Sequence, residues 1–165
     1  MMTRVLTILC ILVAVVTFAG MTANQNVEIV TSAPQLVNPG DEFMIRVSIE
    51  KGSLKNGAVL QQLLPDGFTA SAIESEGAKF YFENKMVRLV WDKLPTKSIL
   101  VVAYLVKADV SIQGFKKLSG TFIYDQNNKT AQKIIPLKNI YVSNDSPILL
   151  LILLVALTEP LFSSF

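Results

Sequence analysis

Residues able to carry chemistry are few in this chain of 165, which has no histidine and one cysteine, Cys10. That composition removes Ser-His-Asp and Cys-His nucleophilic catalysis and the usual imidazole zinc sites. Carboxylate, lysine and tyrosine chemistry remain. Glu74 and Glu76 stand two apart, so a strand would put both on one face. Glycosidase carboxylates instead face each other across a cleft at a set separation, and nothing in the sequence implies a cleft. Asp41-Glu42 adjoins Gly40. Calcium needs several converging oxygens, and without an Asp-x-Asp-x-Asp loop the pair reads as a turn that opens a strand. No G-x-x-x-x-G-K phosphate loop occurs. Lys93, Lys97, Lys107 and Lys116-Lys117 are scattered and read as solvated faces. No metal, cofactor or catalytic residue is therefore expected, and a net charge of +2 is too weak to imply a nucleic-acid partner.

Binding is the better expectation, and four residues are its candidates: Gln61, Gln62, Tyr81 and Tyr104. Gln61-Gln62 is the most unusual polar feature, because a strand must turn one amide inward. A buried amide needs a hydrogen-bond partner; the expected arrangement is one exposed glutamine and one bonded to a loop carbonyl. The alternative is contact with a sugar or peptide. Exposed, coplanar rings among Tyr81, Tyr104, Tyr124 and Tyr141 would make a carbohydrate platform, and their burial would remove it. Trp91 and the phenylalanines are read as core, since large aromatics dominate cores.

The elements that must position these residues read as strands. Phe43, Ile45, Val47 and Ile49 alternate with Met44, Arg46, Ser48 and Glu50, the period of a half-buried strand. Asn38-Pro39-Gly40-Asp41 before it has turn chemistry. Val27 to Thr31 reads as a first strand and Ala58 to Leu64 as a third, stopped by Pro65-Asp66-Gly67. Thr69 to Ser75 is a weaker candidate. Lys79 to Glu83 and Met86 to Trp91 flank a tight hairpin at Glu83-Asn84-Lys85. Ile99 to Val106 is almost wholly apolar, which predicts cover on both faces. Gly114 breaks the chain. Leu118 to Tyr124 and Gln132 to Val142 close the series around a polar loop, with Pro136 marking an edge or a bulge. Eight or nine short strands and no amphipathic helix predict an all-β fold, an immunoglobulin-like antiparallel β-sandwich of about 7–9 strands.

Much of the 51% hydrophobic content lies at the two ends. Arg4, an apolar stretch from Val5 to Phe18 and the small residues Ala19, Gly20 and Ala23 have the order of a secretory signal peptide. The expected organisation is a signal peptide over 1–23, the sandwich over 24–143 and an apolar segment over 144–165. Cleavage would remove Cys10 and leave a cysteine-free exported domain, a composition that suits a bacterial envelope. The run Ile148 to Leu157 is ten residues long. As a helix it would reach roughly 15 Å, about half of a ~30 Å hydrocarbon core. Extension through 147–162 admits Glu159 and Pro160. A short membrane anchor, a tail that docks on a partner and a shortened reading frame are the three readings.

The motifs Asn38-Pro39-Gly40-Asp41, Leu64-Pro65-Asp66-Gly67-Phe68 and Val90-Trp91-Asp92-Lys93-Leu94-Pro95, with an alternating strand before and a long apolar strand after, carry a resemblance. In that order they resemble the immunoglobulin-like repeat called domain of unknown function eleven, found in bacterial surface and envelope proteins. Leu60-Gln61-Gln62-Leu63-Leu64-Pro65-Asp66-Gly67-Phe68 is also similar to a segment of Bacteroidetes envelope proteins. The resemblance covers about Gln25 to Val142. It implies a non-enzymatic module, although the repeats usually come in tandem and here there is one. The functional expectation is an exported module for protein–protein contact or structural support at the cell envelope, in the periplasm or at the surface. Its partner would be an envelope or surface protein, with membrane contact through 147–162. A carbohydrate-binding module is the alternative.

Overall fold

The computed structural model describes residues 26–126 and 129–144; the segments expected as signal peptide and apolar tail lie outside them, as does the tip of the last hairpin. Ten strands follow in order: β1 (Glu28–Ser32), β2 (Leu36–Val37), β3 (Glu42–Glu50), β4 (Ala58–Leu63), β5 (Phe68–Glu74), β6 (Lys79–Glu83), β7 (Met86–Trp91), β8 (Ile99–Ala108), β9 (Gly114–Gln126) and β10 (Lys129–Val142). They form a four-stranded sheet in the order β1-β3-β8-β5 and a six-stranded sheet in the order β2-β10-β9-β4-β7-β6.

Alternation drives this layering. In β3, Phe43, Ile45, Val47 and Ile49 are buried while Met44, Arg46 and Glu50 are exposed. Opposite them in the core stand Leu60, Val87, Leu89, Trp91, Leu118 and Phe122 of the other sheet. Each such side chain contributes about 1.5–3 kcal/mol on burial, so a one-residue slip in any strand would be heavily penalised. Trp91 is core, as its type predicts. Its ring meets Phe122 edge-on at 6.4 Å, and its Nε1 donates to the Glu76 carbonyl at 3.0 Å.

Turn chemistry fixes the connections between strands, both across the sheets and within one. Asp41 Oδ2 accepts from the Asn38 amide at 3.2 Å and from Asn38 Nδ2 at 2.7 Å, so Asp41 closes the turn that opens β3. Asn84 and Lys85 both have positive φ, 51° and 63°, the geometry of a type I′ turn, whose twist matches a β6–β7 hairpin.

Three details differ from the sequence expectation. The count is ten strands among the described residues. One is β2, two residues long and parallel to the end of β10 through Tyr141↔Leu36 and Val142↔Val37; so short a segment has no periodicity to read. Gly114 does not break the chain: with φ of 83° it is the first residue of β9, four residues ahead of the expected start. Among the described residues no further layer covers the outer face of β8. Val101 and Leu105 are half-buried and Ile99 is exposed, because β8 is central in its sheet and its neighbours' side chains give lateral cover only. Pro136 does mark a bulge, where the β9–β10 register shifts between Ile135 and Lys138.

Candidate functional site

The two glutamines part company. In β4, Ala58, Leu60 and Gln62 point into the core, and Val59, Gln61 and Leu63 point outward. Gln62 is 1% exposed and its Oε1 accepts a hydrogen bond from the Tyr104 hydroxyl at 2.8 Å. Tyr104, on β8 of the opposite sheet, is fully buried. This bond crosses the sandwich through an apolar interior. Burial pushes the Tyr104 hydroxyl well above its ordinary value, so it stays a donor. Gln62 and Tyr104 are therefore corrected from candidate contact residues to core residues that tie one sheet to the other. The inward amide bonds a tyrosine rather than the expected loop carbonyl.

Gly120 makes room for this pair, and sequence reasoning missed it. It stands opposite Gln62 in the β4–β9 register. A Cβ there would lie 2.5 Å from the Gln61 carbonyl oxygen and 2.7 Å from Gln62 Cγ. The signal available was a glycine inside an alternating strand, which marks a close approach.

Gln61 and Tyr81, the other two candidates, come together on the outer face of the six-stranded sheet. One row runs across five strands: Ile134 opposite Thr121, Thr121 opposite Gln61, Gln61 opposite Arg88, Arg88 opposite Tyr81. Arg88 is exposed and takes part in no ion pair among the described residues. Tyr81 is 45% exposed and Ile134 74%. The rows on either side are apolar at their centre: Leu63 with Met86 on one side, Ile123, Val59 and Val90 on the other. A polar line of Gln, Arg and Tyr thus runs between two rows that are apolar at their centre and end on β6 at Glu83 and Lys79.

The remaining candidates are dispersed. Tyr124 is buried and stacks on Phe122. Tyr141 lies on β10, four strands away from Tyr81 on β6, and its ring is tilted by 44° to Phe115. The four tyrosines share no platform. Glu74 ends β5, whereas Glu76 sits in the following turn at φ 48° and both its oxygens meet Lys97 Nζ at 3.0 Å. Among the described residues no group of three carboxylate or thiol side chains could hold a metal ion, and no helix is long and apolar enough to cross a membrane.

The arrangement of two facing sheets in this strand order makes the chain an immunoglobulin-like β-sandwich. No protein-family model matches it. No curated protein matches it. Solved structures of similar fold include a non-cellulosomal cohesin from the archaeon Archaeoglobus fulgidus, 11% identical with a TM-score of 0.49 over 71% of this chain and 92% of the cohesin. The Reelin-N domain of F-spondin is 14% identical, with a TM-score of 0.49 over 71% of this chain and 87% of that one. A CARDB domain from Pyrococcus furiosus is 11% identical, with a TM-score of 0.45 over 72% and 88%.

Proposed function

We propose that this chain is an exported, non-enzymatic module that binds another envelope protein through the outer face of its six-stranded sheet. The row Gln61–Arg88–Tyr81, flanked by Leu63 and Met86 on one side and Val59 and Val90 on the other, carries the proposal. Arginine and tyrosine are the residue types that dominate binding energy at protein interfaces. Their flanking valines, leucine and methionine supply the apolar surround that excludes water.

The edges suit a partner less well than the face does. Strand β10 carries Pro136, a bulge and the lysines 129, 133 and 138; β5 is bulged between Ala72 and Glu74; β6 and β1 have five residues each. Short, charged or bulged edges resist pairing with a foreign strand. Carbohydrate recognition has little support, because Tyr104 and Tyr124 are core and Tyr81 and Tyr141 lie far apart.

The test is cross-linking of the full-length protein in its own envelope, comparing wild type with Arg88→Glu, Tyr81→Ala and a control on the other sheet, Val30→Lys. The two face variants should lose the cross-linked partner by about tenfold or more, as hot-spot truncation does, while all three keep the wild-type thermal midpoint. Equal cross-linking in all four proteins would sink the reading.

A further inference from the structure

Charge and apolar exposure coincide at one place outside that row. The β9–β10 hairpin, 114–142, holds five lysines and one aspartate, whereas residues 26–113 hold nine basic and ten acidic side chains. The excess positive charge of the domain is thus confined to two neighbouring strands. Among the described residues the ion pairs involve Lys79, Lys85, Lys97 and Lys107, so none neutralises a hairpin lysine. Asp66, near Lys116, is engaged by Lys85, which holds its carboxyl below the usual range.

The end of the same hairpin also carries exposed apolar groups. Phe115 is 78% exposed and Leu137 66%. Phe115 sits against Tyr141 with ring centroids 4.7 Å apart. With Leu36, Lys138 and Asn139 they line an open groove of about 750 Å³. Lys117 lies one outward position along from Phe115, opposite Asn139. Aromatic rings beside lysines, with no acidic residue among the groove's lining, match the chemistry of a bilayer interface.

Chain connectivity points the same way. Tyr141 is three residues before Asn144, the last described residue, and the apolar run Ile148 to Leu157 begins four residues beyond it. Whatever that run does, its attachment point is beside the groove. We infer that the hairpin end, through Phe115, Leu137 and Tyr141 with Lys117 and Lys138, rests on the surface of an anionic lipid bilayer. The proposal concerns the folded domain and does not depend on the protein-contact row, which lies farther along the sheet.

The experiment places a tryptophan at the surface of the full-length protein, Phe115→Trp, with Val30→Trp on the opposite sheet as the control. Vesicles contain brominated phosphatidylcholine, with or without phosphatidylglycerol. The Phe115→Trp emission should shift to the blue and be quenched on anionic vesicles, with the control unchanged and the buried Trp91 silent. Adding Lys117→Glu and Lys138→Glu should weaken the response at least tenfold, since each basic residue near an anionic surface contributes about fivefold. Quenching equal at positions 30 and 115 would overturn the inference. So would pelleting of the protein with vesicles while position 115 stays unquenched, because the C-terminal run alone would then hold it. Salt-sensitive binding to an acidic protein with no vesicle response would overturn it as well.

Discussion

The bond from Tyr104 to Gln62 is a polar contact in an apolar seam, and its cost and benefit are both large. Removing one partner leaves the other buried and unsatisfied, at about 1–3 kcal/mol. Tyr104→Phe and Gln62→Leu should each be destabilised by that amount in chemical denaturation, and the double variant by less than the sum. The pH dependence gives a second readout. The folded-state value of Tyr104 lies above its ordinary 10.0, so its contribution is complete below pH 10 and is lost as pH rises above it. Between pH 10 and 11 the wild type should lose about 1 kcal/mol more than Tyr104→Phe. Lys51 has the opposite sign. Its ammonium is buried and donates to the Leu54 carbonyl at 2.7 Å, and burial lowers it from 10.5. That group adds stability as pH rises through its folded-state value toward 10.5, equally in both proteins, and drops out of the comparison. Identical alkaline slopes would refute the assignment to Tyr104.

At the scale of elements, legibility followed periodicity. Strand β3 was readable because its alternation persists over nine residues, and the turn at Asn84-Lys85 because asparagine tolerates positive φ and two strand patterns flank it. Strand β2 was not, since two residues carry no period and its pairing to β10 is a long-range event. The outer face of β8 misled because apolar content implies two-sided burial only when a second layer exists. Of the candidate site, Gln61 and Tyr81 were found by residue type, but Arg88 was missed: only the register between β4, β7 and β6 puts it between them. The same reasoning exposes a device in β10, whose proline and lysines keep a long edge from pairing. Replacing both Pro136 and Lys133 by threonine should add concentration-dependent higher-order species to the wild-type elution profile, read by size-exclusion chromatography with light scattering. A profile unchanged from wild type would show that the edge is protected by other means.

Taken whole, the molecule is held together without covalent staples. No cysteine occurs between residues 26 and 144, and the core is continuous from β1 to β10. A domain of this length buries roughly two thirds of its chain's surface, which is sufficient for independent folding. The thermal midpoint of the full-length protein should accordingly be the same with and without a strong reductant. A drop of several degrees on reduction would point to a disulfide between chains through Cys10. The fold class was legible because it depends on many weak signals that agree. The uneven charge was legible only as a count, since its meaning required knowing that β9 and β10 are neighbours.

The short parallel strand β2 has a mechanical consequence. The Tyr141 amide donates to Gln35 at 2.8 Å and the Ser143 amide to Val37 at 3.0 Å, while β9 pairs the same stretch from its other side. These bonds lie across the direction in which the chain departs. Tension applied beyond Ser143, with the sheet face held by a partner, therefore loads them together in shear rather than opening them one at a time. The closing strand is bonded on both flanks at its end, so the two residues of β2 would resist such a pull out of proportion to their number.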